Sequence, residues 1–181
     1  MSKSKNTATD TPSISNVERL EKLEEARILA SEMPCILKFI DCGNLADLDG
    51  CDMVLDREQM NGVFLLLDSV YSSLETIVSI AAKYGTEDEH IQTISSYVDD
   101  ARKIISLATK LAAVHLAEDE NGEESDSDVI CMVSSWVAGF LASLRVANEL
   151  YVIGIYHCVH KLIEAIPAPS EGGGNAHNSL H

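Results

Sequence analysis

The chain has 181 residues, 46% of them apolar and 23% charged, which suits a packed core and excludes disordered and collagen-like classes. Lys and Arg number 13 against 29 Asp and Glu, a formal net charge of −16; phosphate-backbone binding is thereby disfavoured, because affinity for nucleic acid comes from cations that displace counterions. The same charge steers a basic protein partner towards the surface.

Residues 1–13 are polar and small, with Pro12 among them, and read as a disordered tail without the apolar run of a secretory signal. A helix is expected over 14–32, capped at Ser13 or Ser15 and carrying Val17, Leu20, Leu23 and Ala26 among alternating charges. Pro34 is expected to interrupt it or to open a short second helix, since proline lacks the N–H and clashes with the preceding turn, with residues 35–41 forming one or two buried turns. Cys42 to Asp56, rich in Gly, Asn and Asp, reads as a connector, and Asp56 with Glu58 suits the start of the next helix.

The clearest periodicity lies over 57–84, where Met60, Val63, Leu67, Val70, Leu74, Ile77, Ala81 and Tyr84 keep 3,4 spacing. Phe64, Leu66, Tyr71 and Val78 widen that stripe beyond a two-stranded seam, so a bundle helix with several neighbours is expected. Gly85 is expected as a left-handed cap, and Thr86 as the N-cap of a helix over 87–117 carrying Ile91, Ile94, Val98, Ala101, Ile105 and Ala108. The two form an antiparallel hairpin.

Residues 118–128 (EDENGEESDSD) hold seven acidic side chains and no basic or apolar one, and read as a flexible acidic loop. The last helix, 128–166, is apolar on nearly every side and would measure about 58 Å if straight, so it needs cover all round. Its uncharged run, Val129 to Leu144, is shorter than the roughly 20 residues a bilayer demands, so no membrane span is expected. Ser135, Gly139, Ser143 and Ala147 recur every four residues and permit close approach of another helix. Either a kink near Gly139 or Gly154, or pairing with a second copy, accommodates the length, and a homodimer is the expectation. Pro167 ends the helix, and 167–181 read as a flexible tail.

The fold expected is therefore all-α: a single domain over 14–166 in which the hairpin (57–84, 87–117) packs on the long helix (128–166) as an antiparallel bundle.

Chemistry is sparse in this sequence. No phosphate loop, dinucleotide fingerprint, nucleophile elbow or HExxH is present, and no cofactor or catalytic residue is expected. Glu87 and His90 make one Glu-x-x-His pair where a di-iron bundle needs two, and their place at a helix start favours capping. Asp47, Asp49 and Asp52 surround Gly50, which arrives too early for a calcium loop. His157, His160 and Glu164 share a helical face beside Cys158 and are the candidate metal ligands. Five cysteines, Cys35, Cys42, Cys51, Cys131 and Cys158, are odd in number and lack ligand spacing, which fits reduced thiols in a cytoplasmic protein.

The function expected is a non-catalytic protein–protein interaction module, an oligomeric acidic bundle that binds or inhibits a macromolecular partner as a nucleic-acid mimic, chaperone or immunity protein. The alternative is a bundle that holds a metal at His157, His160 and Glu164, or a small apolar ligand in a cavity lined by Trp136, Phe140 and Tyr71.

Overall fold

The computed structural model describes residues 14–42, 53–119, 129–132 and 134–167. Ser15 starts the first helix, α1 (Asn16–Cys42), by accepting the Glu18 N–H on its hydroxyl at 3.1 Å while its carbonyl accepts that of Arg19 at 3.0 Å. The helix does not stop at Pro34, which lies inside it. Leu23, Ala26, Ala30, Met33, Leu37 and Ile40 form one uninterrupted 3,4 stripe, and all are fully buried. Burial of each large side chain is worth about 1.5–3 kcal/mol, so the three beyond Ala30 together outweigh the roughly 3 kcal/mol that an interior proline costs.

The helix α2 (Arg57–Tyr84) begins and ends where the periodicity places it, and each of its eight expected stripe residues is buried. The link to the next helix differs in mechanism. Gly85 does not adopt a left-handed backbone; a Cβ there would lie 2.6 Å from the Ala81 carbonyl oxygen and 2.9 Å from the Ile91 side chain. Glycine is required at this position for close approach rather than for its φ. Arg19 completes the end of α2 by donating to the Tyr84 carbonyl at 2.9 Å, a cation placed where the helix leaves carbonyls unpaired.

The helix α3 (Asp88–Asp119) starts one residue later than expected, and the Glu87 carbonyl accepts the Ile91 N–H at 3.2 Å. It continues into the acidic run through Asp119; the rest of that run, residues 120–128, lies outside the described residues, as do 1–13, Asp47, Asp49, Asp52 and 168–181.

The region expected as one helix over 128–166 is composite. Val129–Met132 is a strand, β2, paired antiparallel with β1 (Met53–Asp56) in the register Met53↔Met132 to Asp56↔Val129. Val129 and Ile130 are β-branched, and the ribbon pairs the backbone groups of the two strands. The helical part is α4 (Ser134–Val146), a π-helical turn (Ala147–Val152) and α5 (Ile153–Glu164). The Ile153 N–H donates to the Asn148 carbonyl five residues back, which marks the inserted residue.

Four long arms pack together as an all-α bundle. Antiparallel neighbours are fixed by three contacts: Arg19 with the Tyr84 carbonyl, Asn16 Nδ2 with the Pro167 carbonyl at 3.3 Å, and Arg145 Nε with both Asp41 oxygens at 2.8 and 2.9 Å. The arms α1 and α3 therefore run one way and α2 and α4–α5 the other, with α5 packed between α1 and α3. At the α3–α5 seam, a Cβ on Gly154 would lie 2.6 Å from the Tyr97 ring, which also meets Tyr151 edge-on with centroids 5.9 Å apart. Gly154→Val should accordingly cost about 1–3 kcal/mol through overpacking, read as a lowered midpoint in urea unfolding. The loss should be smaller in a Tyr97→Ala background if the ring is its source.

Candidate interaction surface

The acidic surface is partly neutralised in place. On α1, Arg27 donates to Glu24 at 2.8 Å and to the Tyr156 hydroxyl at 3.3 Å, and Lys22 pairs with Glu25 at 2.7 Å. The Arg27 hydrogen bond holds the Glu24 carboxyl below its ordinary pKa. Across the α2–α3 seam Arg102 donates to the Tyr71 hydroxyl at 2.6 Å and to Glu75 at 2.7 Å, with its guanidinium 4.4 Å from the Tyr71 ring centre. The hydrogen bond to Tyr71 raises the Arg102 pKa.

The expected metal ligands do not converge. His160 Nε2 lies 3.5 Å from Glu164, but the other carboxylate oxygen of Glu164 accepts from Lys161 at 2.9 Å, and that bond lowers its pKa. His160 stacks on the Tyr156 ring and His157 meets the same ring edge-on, both on the solvent side of α5. Cys158 is half-buried, and burial raises its thiol pKa, away from the thiolate a metal needs. Among the described residues no group of three His, Cys, Asp or Glu side chains is arranged to hold a metal ion. The three expected ligands project from a single outer helix face, and Glu24 of α1, which lies within electrostatic reach of His160, is held by Arg27.

Phe140 is 3% exposed in the core, and Tyr71 lines an open groove of about 330 Å³ between α2 and α3 together with Phe64, Leu67, Ile105, Thr109 and Lys110. The side chain of Trp136 lies outside the described residues.

The most distinctive surface is the outward face of α4–α5. Val137, Phe140, Leu141, Leu144, Ala147, Val152, Ile155, Val159 and Leu162 close the core, yet a second apolar row points away from it. Gly139 and Ala142 are exposed, Val146 is 41% exposed, Leu150 60% and Ile153 40%, and nothing lies within 4 Å of a Cβ placed on Gly139. The expected strip of Ser135, Gly139, Ser143 and Ala147 is not one face: Ala147 is fully buried while Gly139 faces out. The row that does face out comprises Gly139, Ala142, Val146, Leu150 and Ile153, which the all-round apolar composition signalled but did not locate.

Two helical spans, Glu58–Tyr84 and Val137–Glu164, are long and apolar enough by length and composition to cross a membrane. Each also turns a buried stripe into the bundle core. Comparison with known protein families, with characterised proteins and with solved structures yields no match.

Proposed function

We propose that this chain is a non-catalytic interaction module, an acidic, self-associating helical bundle that works in the cytoplasm and binds, and by binding masks or inhibits, a macromolecular partner with a basic surface. The observation that carries the reading is the outward apolar row on α4–α5. The bundle already has a closed core, so a row of Val146, Leu150 and Ile153 left in water is surface that association would bury. The net charge of −16 adds the second element, a field that attracts cationic partners and excludes nucleic acid.

The test is capture of partners by the tagged chain from its host lysate at low and at high salt, with mass spectrometry of the bound fraction. Basic proteins held at low salt and released at high salt are the expected result, because screening shortens the reach of surface charge from about 10 Å at 0.1 M to about 3 Å at 1 M. Capture of nothing basic under either condition would remove the partner half of the reading.

A second reading, a binder of small apolar molecules, draws on the groove between α2 and α3, whose lining mixes Phe64, Leu67, Tyr71 and Ile105 with Thr109 and Lys110 at its polar side. A ligand that stabilises the native chain but not a Tyr71→Ala variant would favour it.

A further inference from the structure

The outward row is not only apolar but symmetric. Gly139, Ala142, Val146, Leu150 and Ile153 are separated by steps of three, four, four and three residues, so Val146 sits at the centre with small residues on one side and large ones on the other. Along the helix the row spans about 21 Å. A two-fold axis through Val146 sets a second copy antiparallel and brings Gly139 opposite Ile153, and Ala142 opposite Leu150, twice over. Each bulky side chain then meets a position with room for it, and the space above Gly139 is open to receive one. A parallel pairing would instead stack Leu150 on Leu150 and leave a gap between the two glycines.

Charge agrees with the antiparallel choice. Arg145 and Glu149 lie one turn apart on the flank of the row that faces α1, as the Arg145 contact with Asp41 shows. The two-fold axis brings like flanks together, so Glu149 of each copy comes beside Arg145 of the other. Arg145 keeps 57% of its side chain exposed while it holds Asp41.

We infer that two copies of this chain associate through α4–α5, antiparallel about a two-fold axis at Val146, with Gly139 and Ala142 of one copy receiving Ile153 and Leu150 of the other. This rests on the reading of the chain as a self-associating interaction module and gives that reading a geometry. A single helix pair of this length covers less than the roughly 800 Å² per partner of a standard interface, so the dimer is in reversible exchange with monomer. Because both copies are strongly acidic outside the row, association strengthens with added salt, opposite in sign to capture of a basic partner.

The test is sedimentation velocity of the full chain over a concentration series at about 50 mM and about 500 mM salt. The expected result is a monomer–dimer equilibrium, tighter at the higher salt, with Val146→Glu weakening it by at least about 100-fold because two carboxylates then face each other at the axis. Ala142→Leu should weaken it by about 10-fold, and adding Leu150→Ala should restore it, since the swap exchanges large for small across the antiparallel seam. All three residues point outward, and circular dichroism of each variant checks that the helices are intact. A chain that stays monomeric throughout, a Val146→Glu variant that still dimerises, or a swap no better than Ala142→Leu alone would each overturn the inference. So would binding to phosphatidylcholine vesicles without any dimer, which would assign the row to lipid. Salt-sensitive capture of a basic partner by a monomeric chain would leave the partner reading standing and remove only the dimer.

Discussion

Replacing Pro34 with alanine should raise the stability of the bundle by about 1–3 kcal/mol, and replacing Leu37, one turn further on, should lower it by about 2–5 kcal/mol. The proline lies well inside α1, where it offers no N–H to the Ala30 carbonyl and crowds the preceding turn. Alanine supplies the missing donor and is the best helix former, and the position is only half-buried, so little packing is lost. Leu37 is fully buried, and truncating it leaves a cavity between α1 and its neighbours. For a chain of this size each kcal/mol moves the thermal midpoint by roughly 2–4 °C, so the two variants should separate clearly in calorimetry or circular dichroism melts. If α1 ended at the proline, Pro34→Ala would change nothing and Leu37→Ala would cost only what an exposed leucine costs. That pair of outcomes would return the chain to the shorter helix that local rules favour.

The contest at Pro34 shows where sequence reasoning is strong and where it fails. The stripe of α2 is legible because the row from Met60 to Tyr84 keeps one period and no breaker interrupts it. Around Pro34 two signals conflict: a local rule that stops helices, and a 3,4 row of Met33, Leu37 and Ile40 whose burial depends on α2 and α4–α5 being alongside. Only the second involves the rest of the molecule, and it wins. Gly85 is a similar case; its role as a punctuation mark is visible in the sequence, but the reason for it is the closeness of the Ala81 carbonyl and Ile91, which needs the turn to be built.

The outward row on α4–α5 is legible in the sequence only as an excess. A helix apolar on all sides announces unsatisfied surface, but which residues face out depends on what packs against it, which composition does not fix. Steps of four drift by about 40° each on a helix of roughly 3.6 residues per turn, so Gly139 faces out while Ala147, two steps on, is buried; the mixed steps of three and four from Gly139 to Ile153 keep to the exposed side. The candidate metal ligands pose a related question of which way a face is turned. Spacing places His157, His160 and Glu164 on one face correctly, but the face is turned to solvent, and Lys161 and Tyr156 hold the groups expected to converge.

The π-helical turn carries the second large prediction. Asn148 within it is 6% exposed, the one buried polar side chain among the described residues, and its Oδ1 finds no hydrogen-bond donor among them. A buried amide oxygen left without a donor costs about 1–3 kcal/mol relative to one that is paired. Leucine has the same branching as asparagine, so Asn148→Leu exchanges the amide with its unpaired oxygen for two methyl groups of nearly the same shape and should stabilise the bundle by about 1–3 kcal/mol, a rise of several degrees in the thermal midpoint. Asn148→Asp should act in the opposite direction and by more, because a carboxylate at that depth must either be desolvated as a charge or take up a proton. The aspartate variant should therefore lose stability as pH rises through the carboxyl pKa, which burial raises above the unfolded value: below that range both states are protonated, and above it only the unfolded chain ionises freely. A lowered midpoint for Asn148→Leu would show that the amide bonds through an internal water that the leucine displaces, and would make the π-helical turn a hydrated site rather than a strained one.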